Sequence, residues 1–480
     1  MADDALHTDL FIGGRWRPAD SGERFDVIDP GTEEVIASVA NAGATDARAA
    51  AAAAAEAQRG WAARAPRERA EVLRRSWEML MERADDLARL ITLENGKVLA
   101  EAKGEITYAA EFFRWFSEEA VRLTGELGTA PSGTNRILVV HQSVGVAYLV
   151  TPWNFPAAMA TRKIAPALAA GCAVVLKPAT LTPLTALAVV AVLQEAGVPD
   201  GVVNVVPGRS ASTITAAVLE HERVRKLSFT GSTEVGKKLI VQAADRVLNV
   251  SMELGGNAPF IVLADADLDA AVEGAMIAKM RHNGETCTAA NRFYVEAPVA
   301  GAFADKLAEA MSALPTGHGL IAGNRLGPLV DADARAKVAE LVGGAVAAGA
   351  RALVGGEVPE GPGFYYPATV LTGVAADNPI LAEEIFGPVA PIVAVADAEE
   401  AVRLANSSTM GLVSYLYTGD LAKGLRLAEA LESGMVGLNK GIVSDPAAPF
   451  GGVKESGLGR EGGHEGMLDY TETKYIATDW

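Results

Sequence analysis

From Val146 to Met252 the chain alternates short apolar runs with helical stretches, and this alternation limits the possible folds more than any other feature. Strands are expected at Val146–Val150, Ala173–Leu176, Val202–Val206, Lys226–Phe229 and Val247–Met252. Helices are expected between them, at Ala157–Ala170, Pro183–Ala196, Ser210–Glu220 and Ser232–Ala244. The strands are apolar throughout, as they must be when both faces of a parallel sheet are covered. The pattern describes a doubly wound α/β domain, which binds ligands beyond the carboxyl ends of its strands.

The flanking segments read differently. Asp9 to Ser38 holds short strands and turns. Thr45 is an expected N-cap for the alanine-rich helix over Ala47–Ala57. Helical periodicity continues over Arg67–Glu94, stops at Asn95-Gly96 and resumes to about Leu123. Gly125 to His141 reads as an extended arm or hairpin. A second alternating α/β region runs from about Ala258 to Val443. The last segment is glycine-rich and then extended at Tyr475-Ile476-Ala477, able to pair with the earlier arm or with another subunit.

The formal net charge of −18 disfavours nucleic acid or an anionic membrane as the main partner. The longest apolar stretch, Ile164 to Leu176, has 13 residues and is too short to span a bilayer. Two cysteines make no disulfide framework, and the N-terminus carries no basic-then-apolar signal, so a reduced, cytoplasmic protein is expected. The six histidines show no metal-binding spacing, so no protein-bound metal is expected.

Cys287, in Asn283-Gly284-Glu285-Thr286-Cys287-Thr288, occupies a polar loop between an expected helix and an expected strand. A thiol there is either a nucleophile or a buried structural cysteine. Glu253, at the end of a strand, is either a base that activates water or an ion-paired carboxylate. Asn154, in Pro152-Trp153-Asn154-Phe155-Pro156, is a strand-end amide suited to stabilising an oxyanion, while Trp153 and Phe155 suit packing. Phe229-Thr230-Gly231-Ser232 opens a helix, either as a phosphate-holding turn or as a plain tight one. Lys177 either contacts an adenosine ribose or phosphate or is a solvated strand-end lysine. Glu384 either holds ribose hydroxyls or ends a helix.

Six motifs run in order along the chain: PWNFP from Pro152, KPA from Lys177, FTGST from Phe229, ELGGN from Glu253, ETC from Glu285 and EIFGP from Glu384. Together with PFGGVKESGLGREGG from Pro449, they resemble the aldehyde dehydrogenase superfamily over nearly the whole chain. The resemblance implies a cofactor-binding domain (1–123 and 142–252), a catalytic domain (253–446) and a small β oligomerisation arm (124–141 and 447–480). It implies Cys287 as nucleophile, Glu253 as general base, and Asn154 with the Cys287 N–H as oxyanion hole. It implies cofactor contacts at Trp153, Lys177, Ala179, Thr180, Gly231, Ser232, Leu254, Glu384 and Phe386. The expected assembly is a homodimer or homotetramer.

A narrower resemblance, to succinate-semialdehyde dehydrogenases, is carried by Thr161-Arg162-Lys163, Lys279-Met280-Arg281 and Gly441-Ile442-Val443-Ser444. It implies that Arg162, Arg281 and Ser444 grip the far carboxylate of the substrate, a task suited to guanidinium forks. The alternative for the arginines is an ion pair on a helix face. Glutarate semialdehyde or another small aldehyde is the alternative substrate. Neutral Thr180 stands where relatives commonly carry a ribose-binding glutamate, which implies NADP as the preferred cofactor with NAD also used. Ala289 stands where some relatives carry a second, redox-switch cysteine, so that switch is expected to be absent. Two rival classes are a non-catalytic cofactor-binding relative and a thiol hydrolase using His282 as base.

Overall fold

The computed structural model describes residues 6–479. Its first sheet has eight strands. Val146–Val150 lies near the centre, and the chain first adds Ala173–Lys177 and Val203–Val205 on one side, all parallel. It then crosses back and adds Val224–Thr230 and Asn249–Glu253 on the other side. The strand order therefore reverses between Val146–Val150 and Val224–Thr230. The loops leaving these two strands diverge and open a crevice at their carboxyl ends, as a doubly wound sheet requires. Helices cover the sheet, and the helix Ala158–Ala170 is buried at all thirteen positions.

The second sheet has seven strands. Ala258–Val262, Ala290–Glu296, Val389–Val395 and Thr369–Thr372 form a parallel run, with Val413–Tyr417 and Met435–Leu438 parallel on the other side. Three antiparallel strands form a separate small sheet: Glu126–Thr129, Arg136–Ser143 and Thr471–Thr478. The arm and the extended C-terminal segment thus pair within the chain.

Two details differ from the sequence reading. The alanine-rich helix spans Ala44–Ala62 and is capped at Gly43, not Thr45. Asp46 supplies the missing acceptor, reaching back to the Gly43 N–H at 3.0 Å. The segment after 447 also does not all lie in the arm. Gly457–Leu458 extends the first sheet antiparallel to Met252 and Glu253, and Val453–Lys454 pairs with Met410–Gly411. Glycines at 451, 452, 457 and 459 let this stretch cross the seam between the two large sheets at close range. Among the described residues, no helix is long and apolar enough to cross a membrane.

Candidate active site

The crevice at the strand reversal deepens into a cavity of about 290 Å³ between the two large sheets. Loops from both sheets meet there. The first sheet brings Trp153 and Asn154 after Val146–Val150, Gly231 and Ser232 after Val224–Thr230, and Glu253 and Leu254 at the end of Asn249–Glu253. The second brings Cys287 from the loop before Ala290–Glu296, and Glu384 and Phe386 before Val389–Val395. Arg162, Arg281 and Ser444 line the same space.

The loop before Cys287 is held tightly. His282 and Asn283 have φ of +48° and +55°, conformations that non-glycine residues seldom adopt without outside support. Support comes from Asn283, whose Nδ2 donates to Pro328 O at 2.9 Å and whose Oδ1 accepts from the Gly327 N–H at 2.8 Å. Gly256 gives the loop room, because a Cβ there would meet the Cys287 carbonyl oxygen at 2.4 Å. Burial pushes the Cys287 thiol up to about 12, with Glu384 and Glu253 adding to the shift and Arg162 and Arg281 opposing it. The Cys287 N–H has no acceptor among the described residues. The second cysteine, Cys172, is fully buried, donates to Tyr470 O at 3.4 Å and is pushed by burial up to about 11. It lies outside the cavity.

Glu253 is buried, and neither carboxylate oxygen has a hydrogen-bond partner. Burial, and then repulsion from Glu461, hold it well above the usual carboxylate range, with Arg162 and Lys163 opposing. A carboxyl whose proton affinity is raised in this way is a stronger base once ionised, which suits a group acting on water. Asn154 is buried; its Nδ2 donates to Glu285 O at 3.0 Å, and its second N–H remains for an anion.

Arg162 and Arg281 do not share one environment. Arg162 is paired, with Nε 3.1 Å from Glu461 Oε2, and its Nη2 donates to Tyr108 Oη at 3.3 Å. Its guanidinium also lies over the Phe450 ring, 4.1 Å from the centroid. Lys163 donates to the other oxygen of Glu461 at 2.5 Å. Arg281 has no carboxylate within ion-pair distance among the described residues and rests over Phe155, 4.8 Å from the ring centroid. Lys163, Glu461 and Tyr108 escape a sequence reading. Lys163 and Glu461 fall inside the quoted motifs, but nothing in those motifs says that they meet, since that depends on a contact 298 residues apart.

The cofactor side is split. Trp153, Gly231, Ser232, Leu254, Glu384 and Phe386 line the cavity with Cys287, whereas Lys177, Ala179 and Thr180 sit one strand over and outside its wall. Lys177 lies opposite Val150 in the sheet, so its side is continuous with the crevice. Its Nζ makes one hydrogen bond, to Pro178 O at 3.0 Å, and burial lowers the amine to about 8. Thr180 Oγ1 donates to Gly208 O at 3.2 Å. Burial raises Glu384 to about 7, and it accepts from the Gly256 N–H at 3.2 Å. Ser232, in the cavity wall, caps the helix Thr233–Ala244 by accepting from the Val235 N–H. This donor set fits a dinucleotide: a helix start for phosphate, a spare lysine on one flank and a carboxylate on the other.

His282 does not join Cys287. Its ring packs edge-on against Phe155 at 5.4 Å, Nε2 lies 3.9 Å from Glu285 Oε2, neither ring nitrogen has a hydrogen-bond partner among the described residues, and burial with Lys97 and Arg281 nearby holds it well below the usual histidine range. It is absent from the cavity wall that holds the thiol. That leaves the thiol-hydrolase reading without a base.

Comparisons with known proteins place the chain in a family and a fold. The model of the aldehyde dehydrogenase family matches residues 16–476. A succinate-semialdehyde dehydrogenase of Paenarthrobacter nicotinovorans is 56% identical over 92% of this chain and 98% of its own. A glutarate-semialdehyde dehydrogenase of Pseudomonas putida is 50% identical over 97% of this chain and 96% of its own. The crystal structure of an E. coli NADP-dependent enzyme superposes with a TM-score of 0.97 at 48% identity, covering 99% of this chain and 98% of that one.

Proposed function

The chain belongs to the aldehyde dehydrogenase family, and on that premise we propose that it oxidises succinate semialdehyde to succinate, with NADP preferred over NAD. The observation that carries the substrate is Arg281. It is a guanidinium without a carboxylate partner in the cavity that holds Cys287, with Ser444 beside it. Against a net charge of −18, such a local cation is what an anionic substrate needs. The relatives named for succinate and glutarate semialdehyde support the same class. Glutarate semialdehyde is the second reading. A further cavity of about 250 Å³ shares Arg281, Tyr108 and Ser444 with the first, and it has room for a longer chain.

In this mechanism the Cys287 thiolate attacks the aldehyde carbon. Asn154 Nδ2 and the Cys287 N–H meet the oxyanion where its charge develops. A nicotinamide cofactor, when bound, would supply the acceptor for the hydride that leaves the adduct, and Cys287 is left as a thioester. Glu253 then takes a proton from water, and the hydroxide so formed hydrolyses the thioester. Glu384 with Trp153, Leu254 and Phe386 would hold the nicotinamide end, Gly231 and Ser232 the phosphates, and Lys177, Ala179 and Thr180 the adenosine end. Arg281 and Ser444 take the carboxylate. Arg162 lines the same cavity with its Nε turned toward Glu461, so it adds positive field and shape, while Arg281 is the guanidinium without a carboxylate partner among the described residues.

The domain division follows the sheets: a cofactor-binding unit, a catalytic unit and an arm, with 449–463 counted at the seam of the first two. The arm exposes Leu127 and Tyr475, at 63% and 57%, and a second copy of the chain would cover them.

The direct test is a panel of semialdehydes assayed with both cofactors. Arg281→Ala should raise KM for succinate semialdehyde roughly ten- to a hundredfold, the usual cost of one charged hydrogen bond. It should leave an uncharged aldehyde of similar length nearly unaffected. Equal losses on both substrates would remove the carboxylate-binding role. Thr180→Glu should move kcat/KM toward NAD, because it adds an acceptor for ribose hydroxyls and a charge that repels a 2′-phosphate. An unchanged NADP/NAD ratio would show that Thr180 does not set the choice.

A further inference from the structure

The turn Asn95-Gly96-Lys97 ends one helix, leads into the next and lies against the loop that carries Asn154. Gly96 has φ +91°, and a Cβ there would meet Pro328 Cγ at 2.8 Å, so the turn calls for glycine. The turn aims two side chains at consecutive carbonyls. Asn95 Nδ2 donates to Trp153 O at 3.1 Å, and Lys97 Nζ donates to Asn154 O at 2.8 Å.

Lys97 is fully buried, yet its ammonium has a place for each of its three N–H groups. One goes to Asn154 O, one to Glu105 Oε2 at 2.5 Å, and one faces the Phe155 ring, whose centroid is 4.0 Å away. Glu105 Oε1 accepts from the Ala157 and Ala158 N–H groups at 2.9 and 3.2 Å, at the start of the helix Ala158–Ala170. One buried ion pair therefore ties Asn154, Phe155 and Ala157 of one loop, and Ala158 at the start of the helix that follows it, to Lys97 and the helix Leu99–Glu119. On the far side, Asn154 Nδ2 reaches Glu285 O on the nucleophile loop. Asn154 is thus held from behind by a charge and in front by the segment that carries Cys287. Stability alone does not call for such a pair, because well-packed apolar residues of similar volume often serve a fold as well or better.

We propose that Lys97, held by Glu105, is a positioning residue that fixes Asn154 for the oxyanion. The proposal rests on Asn154 being the oxyanion donor. A donor misplaced by about 1 Å can slow a reaction on the order of a hundredfold. Lys97 lies outside the wall that holds the thiol and lines the second cavity, so with succinate semialdehyde it acts through the Asn154 backbone.

The test is a double-mutant cycle on the burst of reduced cofactor, which contains thiolate attack and hydride transfer. Wild type, Lys97→Met, Asn154→Ala and the double variant are compared with succinate semialdehyde. Lys97→Met should slow the burst about ten- to a hundredfold while KM for the cofactor stays within about twofold. In the Asn154→Ala background the same change should cost less than about twofold, because its only route of action is gone. An equal loss in both backgrounds would overturn the proposal, since Lys97 would then be acting on the fold at large. If Asn154→Ala alone left the burst unchanged, the oxyanion assignment would fail, and that is visible without any Lys97 variant. Lys97→Met leaves Glu105 charged and unpaired in the interior. The pair variant Lys97→Met/Glu105→Gln removes both charges together and is run through the same cycle, with thermal unfolding followed in parallel.

Discussion

Cys287→Ala is expected to lower turnover on the order of 10⁴-fold or more while cofactor binding is retained. The side chain is half-buried at the wall of an open cavity, so its loss removes little packing. A stability change of about 1 kcal/mol or less is expected. Steady-state turnover, cofactor titration and thermal unfolding on one preparation separate the three quantities. Substantial residual turnover would end the thioester mechanism. The same thiol makes a pH prediction for the wild type. Burial holds it up at about 12, so across the neutral range the thiolate fraction rises about tenfold per pH unit. Alkylation of the free enzyme by iodoacetamide should rise with it. A plateau near neutral pH would mean that Arg162 and Arg281 outweigh burial.

Glu253→Gln should produce the second largest effect, confined to one half of the reaction. The acyl-enzyme should form nearly as in the wild type and then persist. Rapid mixing should show a burst of reduced cofactor followed by a steady state about 10²- to 10⁴-fold slower. The pH dependence follows from the direction of the shift. Burial and Glu461 raise the carboxyl above its usual range, so at low pH it is protonated and cannot accept a proton from water. Deacylation in the wild type should therefore increase as pH rises through the raised value, and Glu253→Gln should flatten that limb. If burst and steady state fell by the same factor, Glu253 would be serving the thiol rather than the water.

The fold was largely legible because its signals are local. Five apolar runs separated by helical periods describe a covered parallel sheet, and the strands Val146–Val150 and Ala173–Lys177 lie where period and flanking residues place them. The N-cap was less legible. Gly43 has no side-chain oxygen to announce it, and the acceptor comes from Asp46, inside the helix. The seam at 449–463 was not legible at all. A glycine-rich stretch reads equally well as a loose tail or as backbone threaded between two sheets, and the partner strands decide which.

The sequence by itself determined the elements of this protein and the chemical kinds of group available to it: one thiol in a polar loop, one carboxylate and one amide at strand ends, and two arginines. Of the two arginines, Arg162 lies near the amide in sequence and Arg281 near the thiol; these are properties of residue type and position along the chain. Only the tertiary structure decided how those groups are paired. It gave Arg162 to Glu461 and left Arg281 open, kept His282 away from the thiol, and set Lys97 behind Asn154. The physical reason is that charge, proton affinity and donor capacity depend on neighbours a few ångströms away. In this chain those neighbours come from segments as far apart as Lys163 and Glu461.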